Sequence, residues 1–194
     1  TQELKIKKSS VIPSYARNLM GSFPRQGGVR MTEGSYMTNK PTIEGVQIIP
    51  LKKFPDERGT VMHGVKKSAL LNPFGEVYFK KFYAGVVNGW HLHKEMFLNY
   101  ICVEGMMKLV LYDMRENSKT YKQFQEIYFG DDNYVLVHIP PCIANASKCI
   151  KAPYSIMCNI ASEEHDPEAV QKGLRVNIDP HSGEIPYNWE RKDF

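Results

Sequence analysis

Short runs of strand-favouring residues, separated by turn-forming residues, recur along this 194-residue chain from position 46 onward. Val, Ile, Tyr, Phe and Thr, which suit a pleated and half-buried strand, dominate these runs. Gly, Pro, Asp and Asn fill the segments between them. The runs cover residues 46–49, 60–62, 77–83, 97–103, 107–112, 123–128, 134–139, 155–160 and 174–176. Many short strands at close spacing predict an all-β antiparallel sandwich or barrel.

One helix is expected outside these strands. Asp166 suits a helix N-cap, Pro167 suits the first helical turn, and Gly173 would end the segment. Residues 1–44 have no sustained periodicity and contain several prolines and glycines. We therefore expect an extended, partly ordered arm with one short helical turn at residues 15–20. The predicted organisation is this arm followed by one domain at residues 45–194.

The charge of the chain is concentrated in that arm. Residues 1–44 contain seven Lys or Arg and three acidic residues, whereas the rest of the chain balances 18 basic with 18 acidic residues. A neutral domain lacks the basic face that a nucleic-acid groove needs, so no nucleic-acid partner is expected. The arm is expected to be a solvated extension, or to meet an anionic ligand or a neighbouring subunit.

The cysteines and the apolar runs bear on the cellular compartment. Cys102, Cys142, Cys149 and Cys158 form no C-x-x-C pair, and each lies in or near an apolar stretch. Buried free thiols in a reducing cytoplasm are expected, rather than disulfides or a metal site. No apolar run approaches the roughly 18 residues of a membrane span, and the N-terminus does not resemble a signal peptide. We therefore expect a cytoplasmic protein with no membrane partner.

Chemistry is expected in the stretch between Gly85 and Gly105. It contains His91 and His93, two positions apart, before a strand-like run that ends at a Glu-Gly turn. Alternate residues of a strand point to one face, so both imidazoles should enter the same space. A neutral imidazole is a suitable base near pH 7, and paired histidines are also metal ligands. For each histidine, an inert structural role is the alternative.

Several segments follow one another in an order that resembles a known family. Two of them resemble the cupin motifs, namely Gly85 to Gly105 and Ile139-Pro-Pro-Cys-Ile-Ala-Asn-Ala146. Others are Phe54-Pro-Asp-Glu-Arg-Gly59, Asn88-Gly-Trp-His91, Leu111-Tyr-Asp-Met-Arg-Glu-Asn-Ser118, Asp166-Pro-Glu-Ala169 and Val176-Asn-Ile-Asp-Pro180, with Trp189 downstream. Together they resemble the dTDP-4-dehydrorhamnose 3,5-epimerases, the RmlC-like cupins. The resemblance covers residues 45–190 and implies a cupin-type jelly roll with a short C-terminal helical segment.

The resemblance also implies a chemistry. Such enzymes bind a nucleotide-linked 4-keto-6-deoxyhexose and need no cofactor. A histidine oriented by an aspartate removes the proton alpha to the ketone, and a tyrosine returns a proton to the opposite face. Carried over by position, His91 is the base, Asp179 is its partner and Arg58 contacts the nucleotide phosphates. Four further substrate-binding positions follow from the same carry-over: His93, Asn88, Asn145 and Asn159. A homodimer, in which N-terminal strands cross to the partner's sheet, is implied as well.

At several of these positions the chain departs from the family pattern. Asn88 replaces an arginine, Leu98 a lysine, Asn145 a histidine and Asn159 the catalytic tyrosine, while His93 replaces a glutamine. Loss of the two cations removes groups that would stabilise an enolate and a diphosphate. Three other tyrosines are candidates to replace the missing proton donor: Tyr100, Tyr134 and Tyr154.

Three functions therefore stay open. The first is an epimerase acting at C3, C5 or both, or a ketoisomerase, since the H-x-H-K sequence at 91–94 is similar to that of 3,4-ketoisomerase cupins. The second is a catalytically silent relative that binds a sugar nucleotide or has a structural role. The third is a metal-dependent cupin that uses His91 and His93 with a third ligand such as Glu95 or His138.

Overall fold

A computed structural model describes residues 41–66 and 73–190 of the chain. This part of the chain consists of β-strands and turns, which confirms the predicted all-β class. Within these ranges no helix is long and apolar enough to cross a membrane. The predicted arm, with its helical turn at residues 15–20, lies outside the described residues as far as position 40.

The strands, in chain order, are β1 (Gln47–Pro50), β2 (Lys53–Asp56), β3 (Gly59–Met62), β4 (Glu76–Tyr83), β5 (Val87–His93), β6 (Leu98–Glu104), β7 (Met106–Asp113), β8 (Phe124–Gly130), β9 (Val135–Ile139), β10 (Ile143–Cys149), β11 (Tyr154–Ala161) and β12 (Arg175–Asn177).

Ten of these strands form two five-stranded antiparallel sheets, as expected for a jelly roll. The first sheet has the order β1-β9-β6-β11-β4, and the second has the order β12-β5-β10-β7-β8. Strands β2 and β3 pair with each other as a separate hairpin. Strands that are distant in sequence are neighbours in both sheets, so the fold depends on long-range pairing.

The main apolar core contains side chains from both sheets. Leu98, Tyr100 and Cys102 alternate along β6 in the first sheet, and Leu109 and Leu111 alternate along β7 in the second. Each of these side chains is almost completely buried. Period-two alternation brings every second residue into the space between the sheets, which explains why the short apolar runs could be recognised as strands.

A second apolar cluster covers the outer face of the second sheet. Trp90 and Leu92 of β5 pack there with Ile185 and Trp189 from the C-terminal segment. The Trp90 and Trp189 ring centroids lie 5.5 Å apart. Because Trp90 and Leu92 face outward, the histidines that alternate with them face inward. The C-terminal segment therefore helps to hold β5 in the orientation that points His91 and His93 between the sheets.

The predicted helix at residues 166–172 is wrong. Successive turns occupy residues 167–173, and the carboxylate of Asp166 accepts from the Glu168 backbone N–H at 2.8 Å. The backbone N–H of Lys172 bonds to the Glu168 carbonyl at 2.9 Å, but those of Leu174 and Arg175 both return to Ala169. The cap and the proline do start a helical turn. The segment is too short to propagate it, because Arg175 already begins β12.

The packed domain begins upstream of the predicted boundary at residue 45. Ile43 is buried, and the Gln125 side-chain carbonyl accepts from the backbone N–H groups of Thr42 at 3.0 Å and of Ile43 at 3.1 Å. Arg115 donates to the Glu44 carbonyl at 2.7 Å. Residues 42–44 are therefore part of the domain, since these backbone groups find their partners on β8 and in the segment after β7.

A buried carboxylate supports this attachment. Asp113 is fully buried at the end of β7 and accepts from Arg115 at 2.8 Å, from Ser118 at 2.7 Å and from Thr120 at 2.6 Å. Burial alone would raise its pKa, but the hydrogen bonds from Arg115, Thr120 and Ser118 outweigh burial and hold the pKa of Asp113 well below its ordinary value. The charged form is thus built into the fold.

The predicted burial of the cysteines holds for three of the four. Cys102, Cys149 and Cys158 are buried, Cys142 is partly exposed, and all four are free thiols. Burial raises the pKa of the Cys102 thiol to about 12, so that this thiol stays protonated.

Candidate active site

A β-bulge aligns the first two polar residues of the site. On β10, Asn145 pairs with His91 and Ser147 pairs with Asn88, so two steps on β10 span three steps on β5. The extra residue reverses the face that the following residues occupy. Asn88 and His91, three positions apart, therefore face the same cavity between the sheets, where alternation alone would have separated them.

Gly89 makes this bulge possible. Its φ of +137° is one that L-residues with a side chain rarely adopt, and a Cβ built on it would lie 2.5 Å from the Cβ of Ala146. Only a residue without a side chain allows β5 to approach β10 this closely. The Asn88-Gly89 pair, a dipeptide typical of turns, is thus a bulge inside a strand.

Hydrogen bonds hold the His91 imidazole at both ring nitrogens. Nδ1 lies 2.9 Å from Oδ1 of Asn177 and 3.2 Å from the guanidinium of Arg175, both on β12. Nε2 lies 2.9 Å from Nδ2 of Asn88. The Oδ1 atom of Asn88 accepts in turn from Nζ of Lys80 at 2.6 Å. Three strands, β4, β5 and β12, therefore position one ring.

These contacts assign the tautomer of His91. An ammonium group can only donate, so Lys80 must face the carbonyl oxygen of Asn88. The amide nitrogen of Asn88 then faces Nε2 and donates to it, which requires a lone pair on Nε2. The ring proton is therefore on Nδ1 and is donated to Asn177. The guanidinium of Arg175, which can only donate, lies beside this N–H without a hydrogen bond to it and donates to Asn177 Oδ1 instead. Nε2 is the basic nitrogen, and it lies on the side of Asn88 and Lys80.

The surroundings keep both histidines neutral. Burial lowers the pKa of His91, and the positive charges of Arg175 and Lys80 lower it further, although the hydrogen bond that His91 donates to Asn177 acts in the opposite direction. Burial, with the charge of Arg175, lowers the pKa of His93 to about 4. A neutral imidazole near pH 7 is the state in which a histidine can accept a proton.

The imidazoles line a cavity of about 120 Å³ between the two sheets. Burial and the charge of Arg175 lower the pKa of Lys80, which also lines this cavity. A neighbouring cavity of about 180 Å³ shares His93, His165 and Arg175 with it and continues past Glu95 and Glu163. The lining of the first cavity is Glu76, Tyr78, Lys80, Asn88, His91, His93, Met96, Tyr100, Met157, His165 and Arg175.

A neutral imidazole beside two cations in a cavity is an arrangement suited to proton abstraction next to a carbonyl. Comparison with known proteins agrees with this chemistry. Residues 40–192 match the profile of the family described as dTDP-4-dehydrorhamnose 3,5-epimerase. The chain belongs to that family.

Individual relatives agree with the family assignment. The chain is 33% identical over 148 residues to the spore coat polysaccharide biosynthesis protein SpsL of Bacillus subtilis, covering 76% of this chain and 96% of that protein. It is 26% identical over 152 residues to a probable low-salt glycan biosynthesis epimerase of Haloferax volcanii, covering 76% of this chain and 90% of the relative. A crystal structure of a dTDP sugar isomerase from Desulfovibrio desulfuricans superposes with a TM-score of 0.72 and 28% identity, covering 78% and 94% of the two chains. This chain is therefore an epimerase-type enzyme of sugar-nucleotide metabolism with an RmlC-like jelly roll.

Two residues assigned by family resemblance lie away from the cavity. Asp179 was expected to hold Nδ1 of His91, but Asn177 takes that position, and the carboxylate of Asp179 accepts from the backbone N–H of His181 at 2.9 Å. The pairing of Asp179 with His91 is wrong because β12 ends at Asn177 and the chain turns after it.

Arg58 also differs from its expected role. Its side chain is 85% exposed and forms an ion pair with Asp56 at the tip of the β2–β3 hairpin. The contact with the nucleotide phosphates is therefore not prepared within one chain. The local ion pair with Asp56, two residues earlier in the chain, accounts for its conformation.

Two of the predicted substrate-binding residues lie behind the cavity wall. Asn145 is buried, accepts from the Tyr100 hydroxyl at 3.1 Å and donates to the His91 backbone carbonyl at 3.0 Å. Asn159 is buried on β11 and donates to the Tyr78 hydroxyl at 2.9 Å. Both amides orient groups that line the cavity, whereas Asn88 and His93 line it directly.

Sequence reasoning missed Lys80, Tyr78 and Arg175. Lys80 and Tyr78 share the inward face of β4, and the alternating Glu76, Tyr78, Lys80, Phe82 pattern was the available signal. Arg175 reaches the site because β12 pairs with β5, where Arg175 is opposite His93. No local sequence motif indicates that pairing. The side chains of Lys80 and Arg175 line the same cavity as His91, whereas positions 88 and 98, where the family pattern has cations, hold Asn and Leu.

The proposed third metal ligand is not assembled around His91 and His93. His138 is buried on β9, where its ring bonds to Asn99 at 2.8 Å and stacks on Phe97. No group of three His, Cys, Asp or Glu side chains able to hold a metal ion occurs within residues 41–66 and 73–190.

Proposed function

We propose that this protein epimerises a dTDP-linked 4-keto-6-deoxyhexose at C3, C5 or both, by proton abstraction alpha to the ketone with His91 as the base. The observation that carries this proposal is the lone pair on Nε2 of His91, held neutral beside two cations in an enclosed cavity. A 4-keto group acidifies the hydrogens on both neighbouring carbons, so an imidazole of ordinary basicity suffices once the enolate is stabilised.

Lys80 and Arg175 would stabilise that enolate. The Lys80 ammonium is 2.6 Å from Oδ1 of Asn88, whose Nδ2 is 2.9 Å from Nε2 of His91. A substrate C–H bond that takes the place of the Asn88 amide at Nε2 would bring its carbonyl oxygen beside Lys80. In an enclosed site a fixed positive charge at a developing oxyanion lowers the barrier by several kcal/mol. Asn88 and His93 would contact the sugar.

Asn177 would act differently from a carboxylate as the partner of the base. Its neutral amide fixes the tautomer of His91, but it stabilises the imidazolium less than a charged partner. The positive charges of Lys80 and Arg175 also disfavour the imidazolium. This combination suits a reaction in which the proton passes on rapidly instead of remaining on the base.

The compartment and the assembly follow from the same proposal. Four free thiols, three of them buried, agree with a reducing cytoplasm, where nucleotide sugars are made. A homodimer would cover the exposed apolar residues on the outer face of β4, which is an edge strand of the first sheet.

Solvent deuterium incorporation into dTDP-4-keto-6-deoxyglucose, followed by NMR, tests the proposed function. We expect exchange at C3 or C5 with the wild-type protein and its loss, by about 100-fold or more, in His91→Asn. His181→Asn is the control, because His181 is exposed and lies outside this cavity. Absence of exchange in the wild type would contradict the proposed function. Exchange accompanied by migration of the carbonyl would identify a ketoisomerase instead.

A further inference from the structure

Epimerisation requires a proton donor on the face of the sugar opposite to the base. His91 lies on β5 in the second sheet, so the donor must come from the wall that the first sheet builds. Three hydroxyl or ammonium groups of the first sheet line the same cavity, on Tyr78, Lys80 and Tyr100. Their hydrogen bonds distinguish them.

The proton of Tyr100 is committed elsewhere. Its hydroxyl donates to Oδ1 of Asn145 at 3.1 Å, and complete burial raises its pKa far above the ordinary value. Transfer of its proton to substrate would leave a phenolate in an apolar environment. Tyr100 is therefore part of the wall.

The ammonium of Lys80 lies on the side of the base. It donates to Asn88, whose amide contacts Nε2 of His91. A proton delivered from there would return to the face from which His91 removes it. That position suits charge stabilisation at the ketone oxygen rather than inversion.

Tyr78 has the remaining hydroxyl, and its hydrogen bond has the required direction. Its oxygen accepts from Nδ2 of Asn159 at 2.9 Å, so its own proton is free to be donated into the cavity. The amide of Asn159 is firmly held, because Asn159 is only 1% exposed and lies on β11, which pairs with β4 on one side and with β6 on the other. A hydrogen bond to the oxygen also stabilises the phenolate that forms when the proton leaves.

We propose that Tyr78, positioned by Asn159, is the acid that protonates the enolate on the face opposite to His91. The assignment rests on the proposed function. His91 Nε2 takes the proton as the C–H bond breaks, and the electron pair moves onto the 4-keto oxygen beside Lys80. The Tyr78 O–H then transfers its proton to the same carbon, forming the new C–H bond as the carbonyl returns. The reaction ends with an imidazolium and a phenolate, and exchange with solvent restores both groups.

The buried side chain of Asn159 gives a second reason for this role. Its Oδ1 atom has no hydrogen-bond partner among the described residues, although an orphaned buried carbonyl is costly. An amide whose only described side-chain bond goes to one hydroxyl is poorly explained by stability alone. Holding Tyr78 in one orientation explains why an amide stands where an apolar residue would fit.

The test compares Tyr78→Phe with the wild type in deuterium oxide, by measuring exchange and inversion separately. We expect Tyr78→Phe to form inverted product at least about 100-fold more slowly while it keeps His91-dependent exchange. Tyr83→Phe, on the same strand but exposed on its other face, should match the wild type in both. His165→Gln examines the other titratable side chain that lines this cavity from outside the strands.

The outcomes separate this inference from the proposed function. Inversion at the wild-type rate in Tyr78→Phe would overturn the role of Tyr78 and leave the proposed function standing. Parallel loss of exchange and inversion would also overturn it, because a donor acts after the base. The role of Tyr78 would also be overturned if His165→Gln, and not Tyr78→Phe, lost inversion while it kept exchange. Exchange without inversion in the wild type would overturn it as well. A wild type without any exchange would remove the proposed function itself.

Discussion

His91 is defined by the groups that its nitrogens touch more than by its place in a motif. Lys80 orients the Asn88 amide, and that amide identifies Nε2 as the basic atom. Nδ1 faces a neutral amide, Asn177, together with the guanidinium of Arg175. A base in this environment is neutral over a wide pH range, because burial and both cations disfavour its protonation.

Asn177→Asp tests this account through the pH dependence of the reaction. Burial and the nearby cations lower the pKa of His91 below its ordinary value of 6.5. Because the neutral imidazole is the reactive form, kcat/KM should rise with pH and reach its plateau at a pH below 6.5. A carboxylate at position 177 favours the imidazolium, so it should move the acid limb to higher pH by about one unit. Asp179→Asn is the matched control and should leave the acid limb unchanged. A shift in Asp179→Asn alone would restore the discarded Asp179 partner.

Lys80→Met should lower kcat by about 100-fold, because a fixed charge at the enolate oxygen is lost. Lys81→Met is the control on the same strand. Its ammonium faces outward over the Tyr154 ring, at 3.7 Å from the centroid, and its removal should leave kcat unchanged. Steady-state rates of deuterium exchange measure both variants. Equal rates for Lys80→Met and the wild type would show that the charge does not act on the transition state.

At the scale of elements, the short alternating runs of the sequence were reliable guides. The runs at 77–83, 107–112 and 155–160 correspond to β4, β7 and β11, because one face of each strand meets the apolar core. Strand β10 was not predicted, since Asn145, Ser147 and Lys148 make its sequence polar. Its partners β5 and β7 impose the extended conformation. The helix predicted at 166–172 does not form, although its capping residues favour it. The extended strand β12 begins at Arg175 and leaves too few residues for a helix.

Gly89→Ala tests the bulge that aligns Asn88 with His91. Gly59→Ala is the matched control, with a similar φ of +145° but nothing within 4 Å of the added Cβ. Backbone strain should cost Gly59→Ala about 1–2 kcal/mol of the free energy of unfolding. Gly89→Ala should cost about 2 kcal/mol more, because the methyl group collides with Ala146 and β10. Urea denaturation measures both. Equal losses would mean that close packing does not determine the bulge.

At the scale of the whole molecule, one surface is unusually apolar. Val77, Phe79 and Tyr83, on the outer face of β4, are 50%, 65% and 66% exposed. Strand β4 is also an edge of the first sheet, where no strand of residues 41–66 or 73–190 pairs with its outer side. Exposed apolar edges are sites of association between chains, so this surface agrees with the proposed homodimer.

Phe79→Lys should therefore shift the protein from dimer to monomer in analytical ultracentrifugation, since a charge on this face must be desolvated on association. Ile150→Lys is the control, because Ile150 is 44% exposed and follows β10 of the second sheet. A wild type that sediments as a monomer would contradict the homodimer. Dissociation by Ile150→Lys alone would place the interface on the second sheet.

The sequence by itself determined the all-β class, most strands and the family, and it predicted His91 as the candidate base. These features follow from the local alternation of apolar residues and from motifs that occur in order along the chain. Residues that are close together in the sequence are therefore enough to predict them. The same motifs assigned Asp179 and Arg58 to the site, but β12 ends at Asn177, two residues before Asp179, and Arg58 lies at the exposed tip of the β2–β3 hairpin.

Only the tertiary structure decided how the site is completed. Lys80, His91 and Arg175 come from three strands whose pairing is set by long-range register, and a bulge in β5 reverses the faces that simple alternation would predict. The motif positions 88 and 98 hold no cation, whereas Lys80 on β4 and Arg175 on β12 line the same cavity. Charge at a point in space can be supplied by any strand that reaches it, and the linear sequence does not record which strand that will be.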